Sequence, residues 1–324
     1  MRAMRAHELG GRLQLDDVAR PEPGPGEVLL RVLACGLNFA DTLMVQGKYQ
    51  ERQAFPFSPG IEVCGVVEAL GPGAQGPAPG RRVAALCGAG GLADHVVVPA
   101  AVCSPVPDAM DDVTVAALQV AYGTSHLALH HRARMRPGER LLVLGAGGGV
   151  GLTAVEIGKL MGAEVIACAR GPEKLNAAKA MGADHLIEAD PAALRDAVRA
   201  LGGADVVYDP VGGELWEAAM RAVNPEARLI PIGFASGDVP QIPANIVMVK
   251  NLTIIGLYWG AYYRFAPHVL ADSFTTLMRW WTEGRLKPHI SHVLPLERAE
   301  EGLQMLRDRA AAGKIVVTMQ PQPA

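Results

Sequence analysis

Residues 144–159 read LGAGGGVGLTAVEIGK, with four glycines among residues 147–151 directly after an apolar run. Glycine loses more conformational freedom on folding than any other residue, so such a cluster marks a place where the backbone itself is needed. A strand-to-helix junction that binds a pyrophosphate has that need three times over. The turn is tight, the backbone approaches the phosphates, and the helix packs close to its strand. RLLVLG (140–145) supplies a buried strand before the glycines, and 149–161 a helix after them, closed by Gly162. The register that fits is Ala146-x-Gly148-x-x-Gly151, with Gly149 and Val150 in the first helical turn, where free N–H groups face a phosphate. A plain strand–helix turn is the competing reading. EVIACA (164–169), a second strand at the right distance, argues against it.

The end of that second strand carries the next signal. NAD-selective sites place an acid there, roughly 20 residues past the glycines, to take the ribose hydroxyls. Here ACARGPEK puts Arg170 at that point and Lys174 four residues on. An acid repels a 2′-phosphate and two cations attract it, so the residues predict NADPH; the alternative is that both are solvated surface cations.

The alternation continues: a helix over 172–181, DHLI, a helix over 191–201, ADVVYD (204–209), a helix over 214–223, RLIPIG (228–233) and LTIIGLYW (252–259). Strand, helix, strand at this spacing predicts an α/β domain with a doubly wound parallel sheet. Residues 1–117 are of another kind. EVLLRVLACGLN (27–38), IEVCGVVEALG (61–71), RRVAALC (81–87) and LADHVVVPA (92–100) are β-rich runs separated by turns such as PEPGPGE and GPGAQGPAPG, and they predict an all-β piece. After a helix over 267–283, the closing runs ISHVLPL and KIVVTM predict a return of the chain to that first piece.

The totals exclude several classes. A chain of 324 residues with half its residues hydrophobic suggests two globular domains. A net charge of −3 gives no electrostatic case for nucleic acid or an anionic membrane surface. No apolar run approaches the roughly 20 residues of a membrane span. The N-terminal MRAMRAHELGG lacks the apolar core of a secretory signal, and five scattered cysteines without a CxxC pair suit a reducing cytoplasm. QPQPA (320–324) reads as a disordered tail.

With these residues in view the chain resembles the zinc-independent medium-chain dehydrogenases/reductases, and among them the zeta-crystallin-like NADPH:quinone oxidoreductases. GLNFADTLMVQGKY (36–49) is similar to that family's GxNxxDxxxxxGxY, and PGIEVCGVVEALG (59–71) to its PGxExxGxVxxxG. LQVAYGTSHLAL (118–129), VYDPVGG (207–213) and GKIVVT (313–318) also match. The resemblance implies a GroES-like β domain from residues 1–117 and 263–324, a Rossmann domain over 118–262, NADPH as cofactor and a homodimer. It also implies roles. Asn38, Tyr49 and Thr124 would handle charge on the substrate oxygen, Gly233, Phe234 and Ala235 would flank the nicotinamide ribose, and Tyr258 would lie near the carboxamide. Asp41 would brace its loop. Where zinc-dependent relatives carry three metal ligands, this chain has Asn38, Ile61 and Ala116, so no metal site is expected.

Without a metal to polarise an alcohol, the chemistry suggested is hydride transfer to an electron-poor π-system. A quinone is the first reading, and a C=C conjugated to a carbonyl the second. A dinucleotide-binding protein without turnover is the third. Leu43 stands where some bacterial quinone reductases carry a second tyrosine, which leaves the quinone class open.

Overall fold

The computed structural model describes residues 1–319, and the segment 320–324, read above as a disordered tail, lies outside them. The chain divides into two compact units, Met1–Val120 with residues from Ile290 onward, and Ala121–His289.

The first unit is built on a seven-stranded sheet. Its long central strand, Glu27–Leu37, is buried at Val28–Leu30 and Val32, half-buried at Glu27, Arg31 and Leu33, and buried on both faces from Ala34 to Leu37. On one side it pairs antiparallel with Glu62–Leu70, which continues to Arg82–Leu86 and Cys103–Pro105. His95–Pro99 also pairs with it, along its first half. On the other side the final strand, Lys314–Thr318, pairs antiparallel with it and parallel with Ile290–Pro295. The chain therefore returns to its first unit, as the closing runs predict. Val28, Leu30, Val32, Val63, Val83 and Ile315 fill the core at no more than 2% exposure. Regular β patterning with Gly and Pro at the turns accounts for this part of the fold.

The second unit carries a six-stranded, wholly parallel sheet. In spatial order the strands are His185–Glu188, Glu164–Ala169, Arg140–Leu144, Val206–Asp209, Arg228–Pro231 and Thr253–Ile254. The order reverses between Arg140–Leu144 and Val206–Asp209. In open parallel sheets ligands bind at the carboxyl ends of the strands flanking such a reversal. The helices Gly149–Leu160, Pro172–Ala180, Pro191–Ala200 and Gly213–Ala222 alternate with the strands within a residue or two of their predicted limits.

Two expectations need correction. LTIIGLYW forms a strand only at Thr253–Ile254. Ile255 still donates to Leu229, but the chain then leaves the sheet at exposed Gly256 and turns through a short helical segment at Trp259–Ala261. Its bulky residues satisfy strand propensity, yet among the described residues no further strand lies beyond this edge to hold them in register. The second correction is the point of return. It lies at Ile290 rather than residue 263, because the helix Pro267–Thr282 packs within the second unit. Ser273 bonds the ring of His126 at 2.8 Å, and Trp280 meets that ring edge-on. The helix Ala244–Lys250 has no counterpart among the expected elements; it fully buries none of its residues, and only Ile246 and Val247 pack partly buried against the core.

Candidate functional site

The glycine turn in the second unit takes its shape from particular positions. Gly145, the last residue of the RLLVLG run, has φ of +60°, a conformation that L side chains rarely adopt. The tight turn therefore sits one residue earlier than the Ala146-x-Gly148-x-x-Gly151 register suggests. Gly148 is the N-cap of Gly149–Leu160, with no side chain capping it. A Cβ on Gly151 would run into the carbonyl of Gly145 and lie 2.9 Å from Cα of Ala146, both backbone. The amides at the start of this helix have no intrahelical partner, and the partial positive charge there favours an anion. Ala146 is buried beneath the turn and Val150 is half-buried in it. A Cβ on Gly147 would meet Cβ and Cγ of Lys174, so the stem of the residue predicted for the 2′-phosphate lies against this turn.

Behind the turn lies a cluster of hydroxyls that the sequence did not announce. Ser125 Oγ is 2.7 Å from Thr153 Oγ1 and 2.9 Å from Tyr208 OH, and it also reaches the Val150 carbonyl. Thr153 donates to the same carbonyl at 2.8 Å. These buried groups satisfy one another and tie the central strand to the first turn of the helix.

Across the sheet reversal, Asp209 ends its strand fully buried, accepting from the amides of Val211 at 2.7 Å and Gly212 at 3.0 Å. Burial raises its pKa to about 6, against the opposing pull of those amides. Its own carbonyl accepts from Ile232 and Gly233, and Ala235 donates to Pro210. Gly233, exposed Phe234 and Ala235 thus stand beside the 209–213 loop at the carboxyl ends of the strands. Tyr258 is half-buried after the edge strand. Arg170 is exposed at the end of Glu164–Ala169. Thr124, on the helix Asp112–His126, is half-buried within the second unit.

In the first unit, Asn38 is the N-cap of the helix Phe39–Val45: its backbone amide donates to the Asp41 carboxylate, and the Asp41 amide donates to the Asn38 backbone carbonyl at 3.0 Å. Asp41 is fully buried and accepts from the amides of Asn38 and Gly60, both at 2.8 Å. It braces the loop, as the resemblance implies. Its pKa is raised to about 6 by burial, which outweighs those two amides.

The side chain of Asn38 faces inward. Its amide donates to Glu62 Oε1 at 2.8 Å and to the Gly36 carbonyl at 3.2 Å, while its oxygen accepts from Lys314 Nζ at 2.7 Å. Lysine only donates, so the amide orientation is fixed and both hydrogens are taken. In this geometry Asn38 positions its loop and offers no hydrogen to a substrate oxygen. Glu62 and Lys314 were not singled out in the sequence, although both fall inside quoted motifs. Glu62 also accepts from the Val120 amide at 2.8 Å, so one carboxylate holds the Asn38 loop, the returning strand and the long helix. Gly36 makes room for this, since a Cβ there would meet the Ala116 carbonyl and lie 2.8 Å from Glu62. Tyr49 follows the Phe39–Val45 helix and is half-buried against the core.

Zinc does not fit these residues. Ile61 and Ala116 are buried hydrocarbon at 7% and 1% exposure, and Asn38 is engaged as above. Among the described residues no group of three or more His, Cys, Asp or Glu is placed to hold a metal ion.

Residues 24–108 match the alcohol dehydrogenase GroES-like domain family, and residues 149–275 match the zinc-binding dehydrogenase family. The quinone oxidoreductase-like protein 2 homolog of Nematostella vectensis is 37% identical over 98% of this chain and 88% of its own length. The chain belongs to the quinone oxidoreductase-like family of medium-chain dehydrogenases/reductases. Among solved structures, this family member resembles the quinone oxidoreductase of Thermus thermophilus, whose crystal structures include a complex with NADPH. The TM-score is 0.86, with 36% identity over 98% of this chain and all of that one. A more distant relative is the human synaptic vesicle membrane protein VAT-1 homolog, 29% identical over 96% of this chain and 84% of its own length. Among the described residues, no helix of this quinone oxidoreductase-like chain is long and apolar enough to cross a membrane.

Proposed function

We propose that this oxidoreductase is an NADPH-dependent, metal-free reductase that transfers a hydride to a quinone. The observation that carries the reading is the cradle at the sheet reversal. The Gly145–Gly151 turn has no room for side chains at Gly151, and Lys174 lies against it, with Arg170 at the neighbouring strand end. The likeness to the Thermus thermophilus quinone oxidoreductase supports the same reading.

In this reading the amides of Gly149, Val150 and Gly151 take the pyrophosphate, while Gly148, whose amide donates to the Gly145 carbonyl, shapes the turn; Arg170 and Lys174 take the 2′-phosphate. Gly233, Phe234, Ala235 and Tyr258 receive the nicotinamide half. The nicotinamide, when bound, supplies the hydride. The protein orients it and manages the negative charge that develops on the accepting oxygen. Tyr49 and Thr124 are the hydroxyls proposed for that oxygen, and Asn38 holds the loop that leads to Tyr49. A quinone that takes a hydride becomes a hydroquinone anion, whose oxygens solvent can protonate. A conjugated C=C becomes an enolate that still needs a proton at carbon. The second substrate class therefore asks more of Tyr49.

The same reading makes the protein a cytoplasmic homodimer. Supporting association are the exposed Met248 and Val249, at 71% and 75%, on the helix preceding the sheet's edge strand. Sedimentation of the wild type beside a Met248→Lys variant tests it.

Turnover of NADPH with quinones, 2-alkenals and enoyl thioesters tests the function directly. Fast oxidation with quinones supports the proposal. Faster reduction of the conjugated alkenes moves the enzyme to that class, and no turnover with any of them sinks the catalytic reading.

A further inference from the structure

The helix Pro172–Ala180 begins at Gly171, whose φ of +79° opens the turn after the Glu164–Ala169 strand. Pro172 has no amide hydrogen, so the Gly171 N–H is the outermost backbone donor at this end. It is already engaged. Glu188 accepts from it through both carboxylate oxygens, at 3.0 and 3.1 Å. Register explains the encounter: Glu188 closes the neighbouring parallel strand directly opposite Ala169, so its side chain comes level with the residues that follow Ala169. Both Glu188 and Arg170 are exposed.

Two opposed features therefore share one place. Arg170 and Lys174 attract a 2′-phosphate. The Glu188 carboxylate carries the same sign as that phosphate and holds a donor that the phosphate would use. It also resembles in chemistry, though not in strand, the acid that accepts from ribose hydroxyls in NAD-selective sites. We propose that Glu188 sets the cofactor preference of this enzyme by competing with the ribose 2′-phosphate for the Gly171 amide. The inference rests on the dinucleotide reading above. It makes the preference a difference between two terms, with NADPH favoured by the cations and penalised by the acid. An unphosphorylated ribose meets no penalty, because its 2′-hydroxyl can donate to the carboxylate.

Calorimetric binding of 2′,5′-ADP and 5′-AMP isolates the 2′-phosphate without any turnover, and NADPH and NADH repeat the comparison on whole cofactors. Glu188→Gln keeps an acceptor for Gly171 and removes the charge. It should tighten 2′,5′-ADP and NADPH by about 5- to 20-fold while leaving 5′-AMP and NADH within about twofold. Glu188→Ala, which also frees the amide, should gain at least as much. An unchanged ratio in Glu188→Gln overturns the proposal, as does an equal loss for phosphorylated and unphosphorylated ligands, the mark of a mere brace. Should Glu188→Ala fail to fold, Glu188→Gln decides alone. Arg170→Ala separates this inference from the reading beneath it. If that variant leaves the 2′,5′-ADP to 5′-AMP ratio unchanged, the assignment of the 2′-phosphate site fails. The response to Glu188→Gln is judged independently.

Discussion

The ammonium of Lys314 lies 2.6 Å from Glu62 Oε1, with side-chain exposures of 7% and 0%. Two charges so far from water are stable only together and only if their other hydrogen-bonding sites are filled. Lys314 also donates to the Leu37 carbonyl and to Asn38, and Glu62 accepts from Asn38 and Val120. Lys314→Met should therefore destabilise the first unit by about 3–5 kcal/mol, the cost of a buried charge left without its partner. Adding Glu62→Gln should restore at least half of that loss. Denaturant unfolding of the single and double variants measures both, and additive losses would show that the pair is not coupled.

A methyl group on Gly151 meets three backbone atoms, of Gly145 and Ala146, that cannot step aside. Gly151→Ala should cost roughly 1–3 kcal/mol of stability and weaken NADPH and NADH by the same factor. Arg170 and Lys174 together should favour NADPH by roughly 30- to 1000-fold, about 2–4 kcal/mol of charge-assisted bonding, and Arg170→Ala should remove much of that gap while leaving NADH nearly untouched. Titration of both cofactors against both variants distinguishes the phosphate turn from the 2′-phosphate site. Selective loss in Gly151→Ala would contradict the assignment.

Tyr49 discriminates between substrate classes. General acid help is worth about 10²- to 10⁴-fold, so Tyr49→Phe should cost a conjugated alkene at least ~100-fold in kcat and a quinone less than ~10-fold. If both reactions survive the substitution intact, Tyr49 has no chemical role.

Metal removal should change nothing. Dialysis against a strong chelator should leave turnover unaltered and elemental analysis should return no stoichiometric zinc, because Ile61 and Ala116 offer no donor atoms. One zinc per subunit would overturn this.

The second unit should show a histidine-linked acid limb. His126 is buried, with its ring 2.8 Å from Ser273 Oγ, and burial, aided by nearby His130, lowers its pKa from 6.5 to about 4. The unfolded chain takes up the proton first as pH falls. The stability due to the neutral ring is thus complete above about pH 6.5 and is lost on the way down to about pH 4. Asp41 and Asp209, both raised to about 6, act in the opposite sense over much of this window. The comparison with His126→Gln therefore isolates the ring. Between pH 7 and 4.5 the wild type should lose roughly 2–3 kcal/mol more than the variant. Parallel pH profiles of thermal unfolding would refute this.

How much of this was legible in the sequence follows from the range of the interactions. The inner strands of the parallel sheet and the four helices between them rest on local signals, such as apolar runs, Pro at helix starts and Gly at helix ends, and they lie where those signals put them. The glycine run located the strand-to-helix turn but not its register, because clustered glycines look alike until the strand before them fixes which one turns. The Glu62–Lys314 pair joins positions far apart in the chain, and no periodicity reports a register between strands that distant. Glu188 was overlooked for the same reason: only the pairing of two parallel strands brings it level with Gly171. The edge strand was overestimated since propensity cannot count the neighbours a strand will have.

The return of Lys314–Thr318 to the side of Glu27–Leu37 also orders events during synthesis. The second unit, Ala121–His289, is a continuous stretch and can close while the ribosome is still at work. The first unit cannot, although its residues emerge earlier. Until position 314 is made, Glu62 sits opposite an empty place, and the exposed edge of Glu27–Leu37 is open to any passing strand. On this topology the part that is translated first is completed last, and a chaperone that shields nascent β edges would have its substrate there.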